Sequence, residues 1–340
     1  MESPAIYFKG LFSKEANHNN SLRASAGPFS VMIRKEVADH VRSWRFIILV
    51  VLIVLTFLGA MYVSMSHIRL VVANEKDPDH LFIYLKLLTT TDGTLPPFHV
   101  FISFLGPLLG IALGFDAVNA EKNNGTLTRL LAQPVYRDNL LLAKFSGALI
   151  VISVLFVSLC LLMIGGGLII TGVPIEPVEF FRIIGFIIIS ILYVGFWLSL
   201  SILLSVVFKR AATSALTAIG IWLFFTVFYS ILVHIIANAI LPDKSFLDPE
   251  TATVYENYVL NFLRVAPNQL YTDATTTLLM PSIRSLGPMT MEQMAGAIPS
   301  PLPLKESFMI VWPEITGLIS AITVCFALTY YLFMRKEIRT

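Results

Sequence analysis

The sequence is poor in charge. Asp, Glu, Lys and Arg make up 14% of its 340 residues, against roughly 25% in a soluble domain. Hydrophobic residues make up 56%, and mean hydropathy is +0.77. So little charge excludes a water-soluble globule and indicates a polytopic membrane protein. With a net charge of +2, nucleic acid is not a natural partner. Cysteine is scarce as well: Cys160 and Cys325 each lie in an apolar run. A disulfide framework and a clustered thiolate metal site are both excluded. Strand-like alternation is missing, which argues against an outer-membrane barrel. A cleavable signal peptide is not expected, because residues 1–45 are polar and carry seven Lys/Arg.

What is abundant is the long apolar run. A helix crossing the hydrocarbon core needs about 20 mostly apolar residues, and backbone groups in lipid must bond within the segment. Six stretches qualify, at about 46–68, 97–115, 145–171, 183–208, 212–241 and 313–334. The expected fold is an all-α polytopic membrane protein with six transmembrane helices spread over residues 45–340. Lys/Arg bias sets the orientation. With the N-terminus inside, segments 1–45, 116–144, 209–210 and 335–340 hold 16 Lys/Arg against 8 acids, and the remainder holds 8 against 14. Both termini are therefore expected in the cytoplasm.

Residues 1–28 read as a cytoplasmic tail. In 29–44, Phe29, Ile33, Val37, Val41 and Trp44 recur every three or four residues, with charges between them. That pattern predicts an amphipathic helix on the membrane surface. Residues 243–312 form the largest piece outside the spans, and their prolines suit a small extracytoplasmic segment with one or two short helices. Gly106, Gly110 and Gly114 repeat at four-residue spacing, which puts three glycines on one helix face where another backbone can come close.

The loop between spans two and three, 116–144, is the most informative stretch. Asn124-Gly125-Thr126 can stop one helix and start another. Leu127, Leu130 and Leu131 then share one face of a short helix, which Pro134 ends. Arg137 and Lys144 lead back toward the bilayer. A short amphipathic helix between turn residues is suited to docking on a partner.

This stretch resembles the type-2 family of ABC transporter permeases. The family pattern is an acid ending span two, then Glu, Gly-Thr-Leu, a Leu pair, Pro-Val, Arg, and a Lys entering span three. Here those places are held by Asp116, Glu121, Gly125-Thr126-Leu127, Leu130-Leu131, Pro134-Val135, Arg137 and Lys144. The segment from Ala266-Pro267 to Tyr271-Thr272-Asp273 is similar to a Ser-Pro…Tyr segment of the family, with Ala in place of Ser. The resemblance implies an exporter permease that works with two ATPase subunits and a second permease copy or paralogue, in the prokaryotic cytoplasmic membrane. It also implies an ATPase-coupling role for Glu121, Gly125, Thr126, Leu127, Arg129, Leu130, Leu131, Pro134 and Arg137. The chain has no Gly-x-x-x-x-Gly-Lys-Ser/Thr sequence. No cofactor is expected in it, and ATP and magnesium would bind the partner ATPase. Aromatic-rich spans, with 25 Phe and 11 Tyr overall, suit an amphiphilic substrate: a lipid, a peptide or a drug.

Two other readings compete. An ion-coupled secondary transporter would want several buried ionisable groups in broken helices. Glu314 alone fits that description, and with Pro313 at the first helical position it is expected in a watery first turn. A membrane enzyme or assembly protein of the same topology would want catalytic motifs, and neither His-Glu-x-x-His nor Gly-x-Ser-x-Gly occurs. His99 and His234 stand alone without metal spacing and read as packed or interfacial residues. Asp116 either pairs with a basic residue or sits among headgroups.

Overall fold

The computed structural model describes residues 27–72, 82–91, 93, 95–126, 137–240, 257–281 and 302–335. Those residues form helices and connecting turns, with no strand among them. In chain order the helices are α1 (Pro28–Val41), α2 (Trp44–Val72), α3 (Ile83–Thr89), α4 (Phe98–Gly114), α5 (Asn119–Asn123), α6 (Arg137–Thr171) and α7 (Pro177–Val207). Then follow α8 (Ala211–Leu223), a π-helical turn (Phe224–Phe228), α9 (Tyr229–Ile240), α10 (257–263), α11 (Pro267–Leu279) and α12 (Leu304–Arg335).

Among the described residues, six stretches are long and apolar enough to cross a membrane: Trp44–Ser66, Phe98–Asn123, Asp138–Thr171, Pro177–Val207, Ala211–Ala239 and Leu304–Arg335. They are apolar nearly all round, as expected for helices whose outer faces meet lipid rather than water. Proline helps to set their starts. Pro28 and Pro177 occupy first-turn positions, where a missing N–H costs nothing. At the start of α7, Glu179 also accepts the Glu176 backbone N–H at 3.3 Å.

Helix α7 is the centre of the bundle. It packs on α4, α12, α11, α6 and α8, and Ile189, Tyr193, Val194, Trp197 and Leu198 are fully enclosed. By contrast, the span formed by α8, the π-turn and α9 is almost bare, and large apolar side chains such as Leu216, Phe228, Ile231 and Ile235 are exposed along it. The apolar cavity between Phe57, Phe98, Phe156, Met163 and Ile183 has a volume of about 10 Å³, roughly one water's worth.

Several helices run past the ends that hydropathy suggests. The last begins at Leu304, not Pro313, so Pro313 lies inside it. Glu314 is therefore not in a watery first turn; it is 1% exposed. Likewise α7 begins before Arg182, which is completely buried. Hydropathy windows break at a charged residue. The helix does not, because these charges are met by protein groups. Within the segment expected as an extracytoplasmic cap, α11 is wedged against α7, α12 and α4 rather than lying on top of the bundle. Tyr271, Ala274 and Leu278 are fully buried there.

Candidate functional site

The site is built where α1, α5 and α6 meet. Helix α1 lies along the start of α6, and the approach is close because α6 has a glycine there. A Cβ on Gly147 would stand 2.8 Å from the Cβ of Glu36. This packing buries Glu36 to 7% exposure. Lys144, one turn before Gly147, answers it: its Nζ donates to both Glu36 carboxylate oxygens at 3.2 Å. The same Nζ is 2.8 Å from Oε1 of Glu121 in α5. Lys35 adds a second cation, 3.8 Å from Glu121, 3.6 Å from Glu36 and 3.7 Å from Asp39. One buried ammonium thus ties α1, α5 and α6 together. Breaking such a buried pair leaves an uncompensated charge, which costs about 3–5 kcal/mol.

Neighbouring contacts extend the cluster. Arg45, at the start of α2, donates to Asp116 at 2.5 Å and lies 4.8 Å above the Phe115 ring. Asp116 is thus paired with a basic residue of the first span. Ser205, near the end of α7, accepts the backbone N–H groups of Val118 and Asn119 at 3.0 and 3.2 Å. These two donors open α5 and have no partner within it. His40 faces the same cluster from α1. Burial holds its imidazole below the ordinary histidine range, outweighing the nearby Glu36, Asp116 and Asp39 carboxylates.

Of the residues expected to couple to an ATPase, Glu121, Gly125 and Thr126 are described. Gly125 adopts a left-handed φ of 66°, which a side chain would disfavour. Thr126 is helical again directly after the turn at Asn124 and Gly125. Its hydroxyl donates back to the Glu121 carbonyl at 3.1 Å and closes the preceding turn. Leu127, Arg129, Leu130, Leu131 and Pro134 lie outside the described residues, as does the side chain of Arg137. The glycines of α4 meet α7 of the same chain. A Cβ on Gly110 would lie 2.6 Å from the Val194 carbonyl oxygen, on Gly114 2.9 Å from that of Leu198, and on Gly106 3.0 Å from the Val194 side chain.

Sequence reasoning singled out Lys144 but missed Glu36, its partner. The available signal was a glutamate flanked by Ile33 and Val37 on the docking side of α1, with a lone lysine entering an otherwise apolar span. Among the described residues no group of three or more His, Cys, Asp or Glu could hold a metal ion. His99 is buried with its Nδ1 3.2 Å from the Leu88 carbonyl, and His234 is exposed.

Residues 31–338 match the family described as ABC-2 family transporter protein. The chain belongs to the ABC-2 transporter family. It is similar to the probable ABC transporter permease protein NosY of Stutzerimonas stutzeri, 28% identical over 163 residues, covering 48% of this chain and 58% of that protein. The protein of the same name from Pseudomonas aeruginosa is 28% identical over 147 residues, covering 42% of this chain and 52% of the relative. The matched part spans a little over half the length of these relatives. As an ABC-2 protein with six membrane-crossing helices, the chain is a multi-pass protein of the cell membrane.

Proposed function

We propose that this chain is the permease subunit of an ABC-type exporter, powered by a separate ATPase subunit present in two copies. Its α1 and α5 end faces the cytoplasm, the orientation favoured by the Lys/Arg bias of the sequence. ATP and magnesium bind in the ATPase, and the loop from Glu121 to Arg137 docks on it. The observation that carries this reading is the Lys144 node. A loop whose first turn is ion-paired to the third span and to the surface helix cannot move without moving both. Such a junction suits a force arriving from a partner. The relatives' names as probable ABC transporter permeases point the same way.

The apolar cavity beside Phe57, Phe98 and Phe156 has room for about one water, not for an amphiphile. In this reading the path for a lipid, peptide or drug runs between two permease copies, each providing one wall. The bare fifth span is available for that purpose.

The test is co-purification followed by a coupled assay. An ATPase subunit is expected to come down with the tagged chain in detergent. Leu130→Asp with Leu131→Asp is expected to abolish transport and permease-stimulated ATP hydrolysis while membrane insertion stays normal, because a charge buried in an interface without a partner is costly. A double Asp change at Ala24 and Ala26 is the control. Wild-type coupling in both double variants removes the loop from the mechanism. Labelling of exposed Lys305 in intact cells tests the orientation, and labelling from the cytoplasmic side alone reverses it.

A further inference from the structure

At the end of the bundle opposite α1, a second ionic cluster has a different balance. Arg264, in the turn after α10, lies with its Nε 3.3 Å from Asp273 Oδ2 and its Nη2 3.4 Å from Glu314 Oε1. Gln269 donates to the other Asp273 oxygen at 2.7 Å. Asp273 and Glu314 are 5% and 1% exposed. Two buried carboxylates therefore share one guanidinium. Three of the four carboxylate oxygens have a partner, and Glu314 Oε2 is buried with none.

Among the described residues, other charges are too far away to restore the balance. Helix α7 packs along α12, but its Glu179 and Arg182 sit toward the start of α12. Arg182 donates to Ser307 and to the Leu278 and Leu302 carbonyls, and Ser307 is two turns, about 10 Å, from Glu314. Helix α4 offers His99, whose ring turns to Leu88. The π-turn segment Phe224–Phe228 carries no titratable group. Within α11, Asp273 is the sole charged residue.

A net negative charge in so enclosed a place is expensive. A metal cation would need several oxygens at once, whereas a proton needs one. We propose that Arg264, Asp273 and Glu314 form a proton-binding site that takes up one proton, held on the Glu314–Asp273 carboxylate pair. Two carboxylates and one proton then balance one guanidinium. The bound proton seats α11 against α12, because Asp273 belongs to one helix and Glu314 to the other. Burial also pushes the Asp273 carboxyl above the usual carboxylate range, against the pull of Arg264 and Gln269.

The site is read by infrared spectroscopy of the purified full-length chain in lipid nanodiscs, through the carbonyl stretch of a protonated carboxylic acid. The wild type is expected to show this band near neutral pH. Glu314→Gln should lose it, and Asp273→Asn should lose it too, because either change leaves one carboxylate facing one guanidinium. Arg264→Gln should keep the band. Melting supplies a second readout. Above the unfolded carboxyl value of about 4, the wild-type melting temperature should fall as pH rises toward the site's folded value, while Glu314→Gln should hold its low-pH value. A wild type without the band overturns the proposal, and so does a band that survives Asp273→Asn. Parallel melting curves for the wild type and Glu314→Gln across that range also overturn it. If Glu314→Gln does not fold, Asp273→Asn alone decides.

Discussion

Gly147 and Glu36 belong to helices so close that the glycine has no room for a Cβ. The contact sets how deep α1 sits on the third span, and so whether Lys144 can reach Glu36. Gly147→Val is expected to push α1 away and cost about 1–3 kcal/mol of overpacking. The measurement is thermal melting of the purified chain, with exchange of the α1 amides as the local readout. An unchanged melting temperature together with unchanged α1 protection would sink the claim.

Lys144→Met is expected to be worse. It removes the cation between two buried carboxylates and should cost about 3–5 kcal/mol. Adding Glu36→Gln and Glu121→Gln to Lys144→Met should recover most of the loss, because no unpaired charge remains. Melting of the single and triple variants distinguishes lost packing from lost charge balance. Equal instability in both would favour packing.

The α4–α7 contact permits even less. Gly110→Ala would place a Cβ 2.6 Å from the Val194 carbonyl oxygen and 2.9 Å from the Leu198 nitrogen. Both are backbone atoms in the most enclosed helix and cannot rotate aside. The expected result is loss of monodisperse protein on size exclusion in detergent. Gly220→Ala is the comparison: nothing lies within 4 Å of the added carbon, so this protein should purify normally.

Acid should loosen α1. The fold prefers neutral His40, whose folded pKa is lowered by burial. Its stabilising contribution is fully present above the unfolded value of about 6.5 and is lost as pH falls through the lower folded value. Corrected for the intrinsic pH dependence of exchange, protection of the α1 amides should therefore fall between about pH 7 and about pH 5, and His40→Gln should flatten that fall. Identical pH profiles for the two proteins would exclude His40 as the cause.

The helices of the bundle were legible because composition alone requires them. Phe46–Ile68 and Phe145–Thr171 contain no charged residue, and nothing but a helix satisfies such a run in lipid. Their ends were less legible. Arg182 and Glu314 looked like boundary charges, since hydropathy counts a charge without seeing the carbonyls or guanidinium that meet it. Helix α11 was partly hidden for a related reason. It is rich in threonine, but the hydroxyls of Thr272, Thr275 and Thr277 bond to carbonyls within α11 itself. That frees a polar-looking helix to enter an apolar bundle. Its Tyr271 ring stacks on Tyr193 with centroids 4.4 Å apart, a contact between residues far apart in sequence that no local pattern encodes. Lys144 stood out as a lysine entering a span, yet its partner Glu36 lies 108 positions away.

That separation has a consequence for synthesis. Glu36 leaves the ribosome 108 residues before Lys144, roughly 5–20 seconds earlier at ordinary elongation rates. During that interval the first two spans are made, while the carboxylate that will later be buried has no ammonium to meet. Helix α1 must wait, undocked, until the third span begins to appear. The order of translation thus makes the Lys144 junction a late event, closed only after the first two membrane-crossing segments already exist.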